Sequence, residues 1–177
     1  MRRYWIIAIL TFSFLAAAID ISATRPPSDD TVDVWNRYVI AKKRFHFDVF
    51  ELLSEKWRDL VPTLRLQRDQ DLAGIALLDL KFQYLVSNAP ERIDTDQGLS
   101  NLTKFKWSDN DAKVLRENNP EYVMFENFLA RTSEELGSAP NLIETQRRLV
   151  GLQIDKDYIR LSDRFNRFTA QLDIELR

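Results

Sequence analysis

Residues 142–172 read LIETQRRLVGLQIDKDYIRLSDRFNRFTAQL. Within them Ile143, Arg147, Val150, Ile154, Tyr158, Leu161, Phe165, Phe168 and Leu172 recur at steps of four and three. Such steps keep one side of a helix turned toward a partner, as in the seam of a bundle or coiled coil. Leu142, Leu149, Leu152 and Ile159 form a second apolar face. The spacing predicts one continuous helix across the whole stretch.

The same period runs through the earlier chain. Val34, Tyr38, Ala41, Phe45, Val49, Leu52 and Leu60 mark a first helix from Thr31. Ser28, Asp29 or Asp30 can cap it. It should end near Val61, because Pro62 lacks a backbone donor and restricts its predecessor. A second helix is expected over 63–87, with stripes at Leu66, Ala73, Leu77, Leu80 and Tyr84 and at Ile75, Leu78, Phe82 and Leu85. Two stripes imply burial against more than one neighbour. Residues 91–106 hold no period and read as a long connection. Asn101-Leu102-Thr103 matches a glycosylation acceptor, a motif common by chance.

Residues 107–117 allow one or two helical turns. A third long helix starts with Asn119 as cap and Pro120 at its first position. It runs through Phe125, Phe128, Leu129, Thr132 and Leu136 to Gly137, a good C-terminal cap. Short turns between long amphipathic helices predict an all-α fold: an elongated antiparallel four-helix bundle over 31–177, preceded by a spacer at 24–30 and an N-terminal apolar export segment at 1–23.

That N-terminal segment sets the expected location. Arg2 and Arg3 precede sixteen uncharged residues, Tyr4 to Ile19, and small residues follow, as in an export signal. Ala16-Ala17-Ala18 and Ile21-Ser22-Ala23 suit cleavage. The run is roughly 24 Å long as a helix, against the about 20 residues of a full membrane span, so a retained anchor is the competing reading. Arg2 and Arg3 favour an inside N-terminus. Either way the bulk of the chain is expected outside the cytoplasm, facing outward on the membrane or free in the periplasm or medium.

Composition excludes several classes. The chain has no cysteine and only 4 glycines, which removes thiol chemistry and disfavours Gly-rich phosphate loops. Its formal net charge of −2 lacks the basic footprint of a nucleic-acid binder, so none is expected as partner. His46 is the only histidine and reads as a flank or interior residue; no Glu-x-x-His pair exists for a di-iron bundle. Asp69 and Asp71, Asp109 and Asp111, Asp155 and Asp157 stand at i, i+2, which points them to different helix faces; they read as solvated surface. A Ser or Thr nucleophile would need a base, and only His46 or a lysine could serve. Arg147 and Arg148 could bind an anion but more simply pair with Glu144. Trp35, Trp57 and Trp107 read as core, although a retained anchor would place Trp35 near the membrane interface. No catalytic, metal, cofactor or binding residue is assigned, and no cofactor is expected.

Two stretches resemble the LemA family of bacterial envelope proteins. Arg58-Asp59-Leu60-Val61-Pro62-Thr63-Leu64 is similar to that family's R-x-D-L-I-P-N-L signature. Asn119-Pro120, Asn127-Phe128-Leu129, Leu136, Asn141, Ile143 and Arg147-Arg148 fall at spacings similar to its Y-P…N-F-x-x-L…E-N-x-I…A-R-R pattern. The similarity spans most of residues 31 to 170. It departs at the family's Y-N pairs, where this chain has Leu149, Val150 and Gly151, at Pro140 and at Asn119. The resemblance implies an anchored helical bundle facing outward, without established catalysis. Two functions follow as expectations: a non-enzymatic envelope scaffold or interaction module, with a protein partner or self-association, and a soluble bundle that holds a small ligand among Phe125, Phe128, Tyr158, Phe165 and Phe168.

Overall fold

A computed structural model of the chain describes residues 27–94 and 98–176. The expected export segment lies outside these residues. Those described form an all-helical fold with seven α-helices and no strand.

Helix α1 spans Asp29–Lys56. Ser28 caps it, its hydroxyl accepting from the Thr31 N–H at 3.3 Å, and Asp29 and Asp30 complement the helix dipole in the first turn. The helix stops at Lys56, five residues before the expected end. Trp57 leaves helical geometry, and a 3-10 turn over Arg58–Leu60 leads straight into α2, Val61–Asn88. Pro62 therefore opens α2 rather than closing α1. It lies in the first turn, where a missing N–H costs nothing.

The segment after α2 is more ordered than its lack of period suggested. A 3-10 turn over Pro90–Arg92 and a short helix α3, Leu99–Leu102, bury Ile93, Leu99, Leu102 and Phe105 against α1 and α2. Helix α4 spans Asp109–Asn118 and starts with a reciprocal capping box between Ser108 and Asp111. Asn119 caps α5, Pro120–Gly137, as expected, its Oδ1 accepting from the Tyr122 N–H at 3.0 Å. Gly137 is the last helical residue, and the helix closes on Ser138 without a left-handed residue.

The continuous helix expected over 142–172 is broken. α6 spans Leu142–Val150, a 3-10 turn covers Gly151–Ile154, and α7 spans Lys156–Glu175. Asp155 is extended (φ −77°, ψ 118°) and caps α7, accepting from the N–H groups of Asp157 and Tyr158. An aspartate that can satisfy two N-terminal amides starts a new helix more easily than it continues an old one. The break rotates the expected seam: Leu172 is buried and Tyr158, Phe165 and Phe168 are partly so, while Ile143, Val150 and Ile154 face outward.

The long helices pair antiparallel. Trp35 stacks on Phe82 (4.1 Å between centroids), His46 meets Asp71 and Arg68 lies over Phe50, so α2 runs back along α1. Phe45 stacks on Phe165, and Lys56 meets Asp155, so α7 does the same on another side of α1. α5 packs on the side of α2 away from α1, through Leu77, Tyr122, Phe125 and Leu129. Among the described residues α5 and α7 share no extended face; α6 carries the chain from one to the other past the α1–α2 turn. Three apolar clusters result. The largest surrounds Trp35, Phe82, Leu85 and Leu172; a second joins Leu53, Leu60, Leu64 and Leu152; a third lies between α2, α4 and α5.

Candidate functional site

His46 lies on the flank of α1 that faces α2, with Nδ1 3.0 Å from Asp71 Oδ2 and both side chains partly exposed. The pair ties the two helices together at mid-length. Asp71 is thus a tether, not a freely solvated acid.

The other near-neighbour carboxylates separate by role. Asp69 accepts from Arg68, whose guanidinium is held over the Phe50 ring at 4.3 Å. Asp109 is exposed in the first turn of α4. Asp111, expected at the surface, is 3% exposed. It completes the capping box with Ser108 and receives Arg92 from across the α2–α4 connection. Burial pushes its carboxyl up, but hydrogen bonds from the Ser108 hydroxyl and backbone and from Arg92 outweigh that and hold it below the ordinary carboxylate range. Asp155 is likewise no bystander: besides capping α7 it accepts from Lys56 Nζ at 2.8 Å, which lowers its pKa, and Asp157 stands 3.1 Å from the same amine. Spacing of i, i+2 separates Asp69 from Asp71 and Asp109 from Asp111, whereas Asp155 and Asp157 converge on Lys56.

Arg147 and Arg148 converge on Glu144, as the sequence suggested. Both guanidiniums donate to it at 2.7–2.8 Å, and Arg148 also reaches Asp59 at 2.9 Å. The hydrogen bonds, first from Arg147 and then from Arg148, hold the Glu144 carboxyl at about 2. Beside this network Ile143, Val150 and Ile154 are 82%, 58% and 85% exposed.

A second polar cluster fills the junction of α2, α4 and α5. Arg116 grips Glu126 with two hydrogen bonds of 2.8 Å, and Lys81 lies 5.3 Å from the centre of the Trp107 ring. Burial lowers the Lys81 pKa and raises that of Tyr122, whereas Arg116 lowers that of Glu126.

The aromatic residues proposed to line one ligand site are distributed over four places. Phe125 joins the cluster around Leu77 and Tyr122, Phe128 lies beside Arg131, and Tyr158 covers the Leu53 cluster. Only Phe165 and Phe168 come together. They and Phe45 line a surface groove of about 210 Å³ between α1 and α7. Trp35 is fully buried, its indole N–H donating to Asp79 at 2.9 Å; Trp57 and Trp107 are partly buried. The groove also involves Arg44, Asp48 and Arg164, which no sequence motif singles out. Their signal is a shared face with Ala41 and Phe45 on one helix and with Leu161 and Phe168 on the other, visible only once the antiparallel pairing is known.

The chain matches no family model, no curated protein and no solved structure. Among the described residues no group of three or more acids and histidines is placed to hold a metal, and no helix is long and apolar enough to cross a membrane.

Proposed function

We propose that this protein is a non-enzymatic cell-envelope component. It is a LemA-like helical scaffold or interaction module, an elongated antiparallel four-helix bundle in an open form, presented outside the cytoplasmic membrane. The observation that carries this reading is the uncovered stripe of Ile143, Val150 and Ile154. Large apolar residues left exposed close together mark contact surfaces. The stripe lies near the α1–α2 turn. That end is remote from Ser28 by the length of α1, about 42 Å at helical rise. An anchored N-terminus would hold the stripe away from the lipid and toward a partner.

Intact mass of the protein from membrane and soluble fractions tests the reading. The expected product retains Met1 and stays with the membrane. A soluble product beginning near Ile19 or Thr24 would remove the anchor and favour a free periplasmic or secreted bundle. A hydrolytic activity abolished by His46→Ala would defeat the non-enzymatic part.

A further inference from the structure

The groove between α1 and α7 is left over by every role assigned so far. Its floor is made by Ala41, Phe45, Leu161, Phe165 and Phe168, none of them sealed from solvent. Phe45 and Phe165 stack at 4.9 Å, and the small Ala41 side chain leaves the hollow beside them. The rim is charged. Asp48 accepts from Arg164 and stands 4.0 Å from Arg44 Nε, the outer limit of an ion pair. Arg44 is 79% and Arg164 63% exposed at the side chain. Two guanidiniums against one carboxylate leave one positive charge in excess, and Arg44 is held loosely enough to turn toward an incoming anion.

We propose that this groove binds a free single-chain carboxylate amphiphile, with the alkyl chain on the aromatic floor and the carboxylate between Arg44 and Arg164. The planar guanidinium fork suits a carboxylate better than an ammonium would. The driving force on the floor grows with each methylene removed from water. At about 210 Å³ the groove falls below the roughly 300–1,000 Å³ of sites for drug-sized ligands. It has room for a single short alkyl chain. The proposal does not depend on the scaffold reading or on the export segment.

Calorimetric titration of the full chain with sodium octanoate, kept below its micelle-forming concentration, tests it against 1-octanol as the uncharged control. Octanoate should bind about two- to fivefold more tightly than octanol, the size of an exposed ion pair. Decanoate should bind about tenfold more tightly than octanoate, from its two added methylenes. Arg44→Gln, at an exposed position, should bring octanoate and octanol together while leaving the helical circular dichroism unchanged. Ala41→Phe, which fills the hollow, should abolish binding of both. Failure of octanoate to bind overturns the proposal. So does a carboxylate preference that survives Arg44→Gln, binding that survives Ala41→Phe, or association with anionic phospholipid vesicles in the absence of octanoate binding.

Discussion

At Gly98 the backbone takes φ +79°, and a Cβ there would stand 2.1 Å from Asp173 Oδ1. That oxygen accepts from the Leu99 N–H at 2.8 Å and so fixes the start of α3 to the last turn of α7. Gly98→Ala has to displace the carboxylate and force an alanine into the left-handed region. It is expected to destabilise the fold by about 1–3 kcal/mol, read from the urea midpoint. Gly151→Ala is the control. Gly151 has φ −72°, and a Cβ there would meet nothing within 4 Å, so alanine should be neutral or mildly stabilising. Neither outcome is legible in the sequence, where Gly98 stands in the aperiodic stretch 91–106 and Gly151 inside the helix expected over 142–172. Only the tertiary approach of Asp173 shows which of the two must stay glycine.

Among the elements, the helices with strong local signals are the readable ones. Asn119-Pro120 supplies a cap and a first-turn proline, and α5 starts there. Ser108 and Asp111 carry a capping box of equal strength, but the apolar period behind it is short, and the sequence alone supports only a turn or two of α4. The seam over 142–172 misleads for a definite reason. Steps of four and three continue across Gly151–Asp155 on paper, but the Asp155 cap resets the helical phase, and the residues on its N-terminal side turn outward. Phe82 and Ile143, both members of regular stripes, now make opposite predictions. Phe82 is fully buried and stacked on Trp35, so Phe82→Ala should cost about 3–5 kcal/mol. Ile143 is 82% exposed, and Ile143→Ala should change stability by less than about 0.5 kcal/mol. Chemical denaturation of the two variants separates the observed packing from the simple seam, in which both would be severe.

For the whole molecule, carboxylates pair with bases both within helices and across them, and several titrate below their ordinary range. Glu144 is held at about 2 by Arg147 and Arg148, and Asp111, Glu126 and Asp155 are also lowered. A depressed folded-state pKa means the unfolded chain binds more protons in acid, so stability rises with pH and is lost on acidification. The urea midpoint should hold at neutral pH and fall as the solution passes below about pH 4, where unfolded carboxylates begin to protonate. Added salt should shrink the share from partly exposed Glu144 and Asp155 more than that from buried Asp111. Asp111→Asn should lower the neutral-pH midpoint and flatten the acid limb. An unchanged acid limb would show that Asp111 contributes nothing to it. The groove belongs to this scale too. Its two walls lie more than a hundred residues apart, with Asp48 and Arg164 separated by 116, and no motif-length window of sequence contains both.

The pairing of α1 with α7 also imposes an order in time. Arg37 meets Glu175 across 138 residues, and Leu172 completes the cluster around Trp35. Helical hairpins such as α1–α2 form from local contacts and are fast, whereas contacts of this span wait on long loop closure. During vectorial delivery of the chain, by ribosome or by pore, α1 and α2 can pair early while Tyr38, Phe45 and the neighbouring apolar faces stay wet until α7 arrives. The nascent molecule therefore carries a sticky half-core through most of its birth, and that interval is when it most needs protection from aggregation.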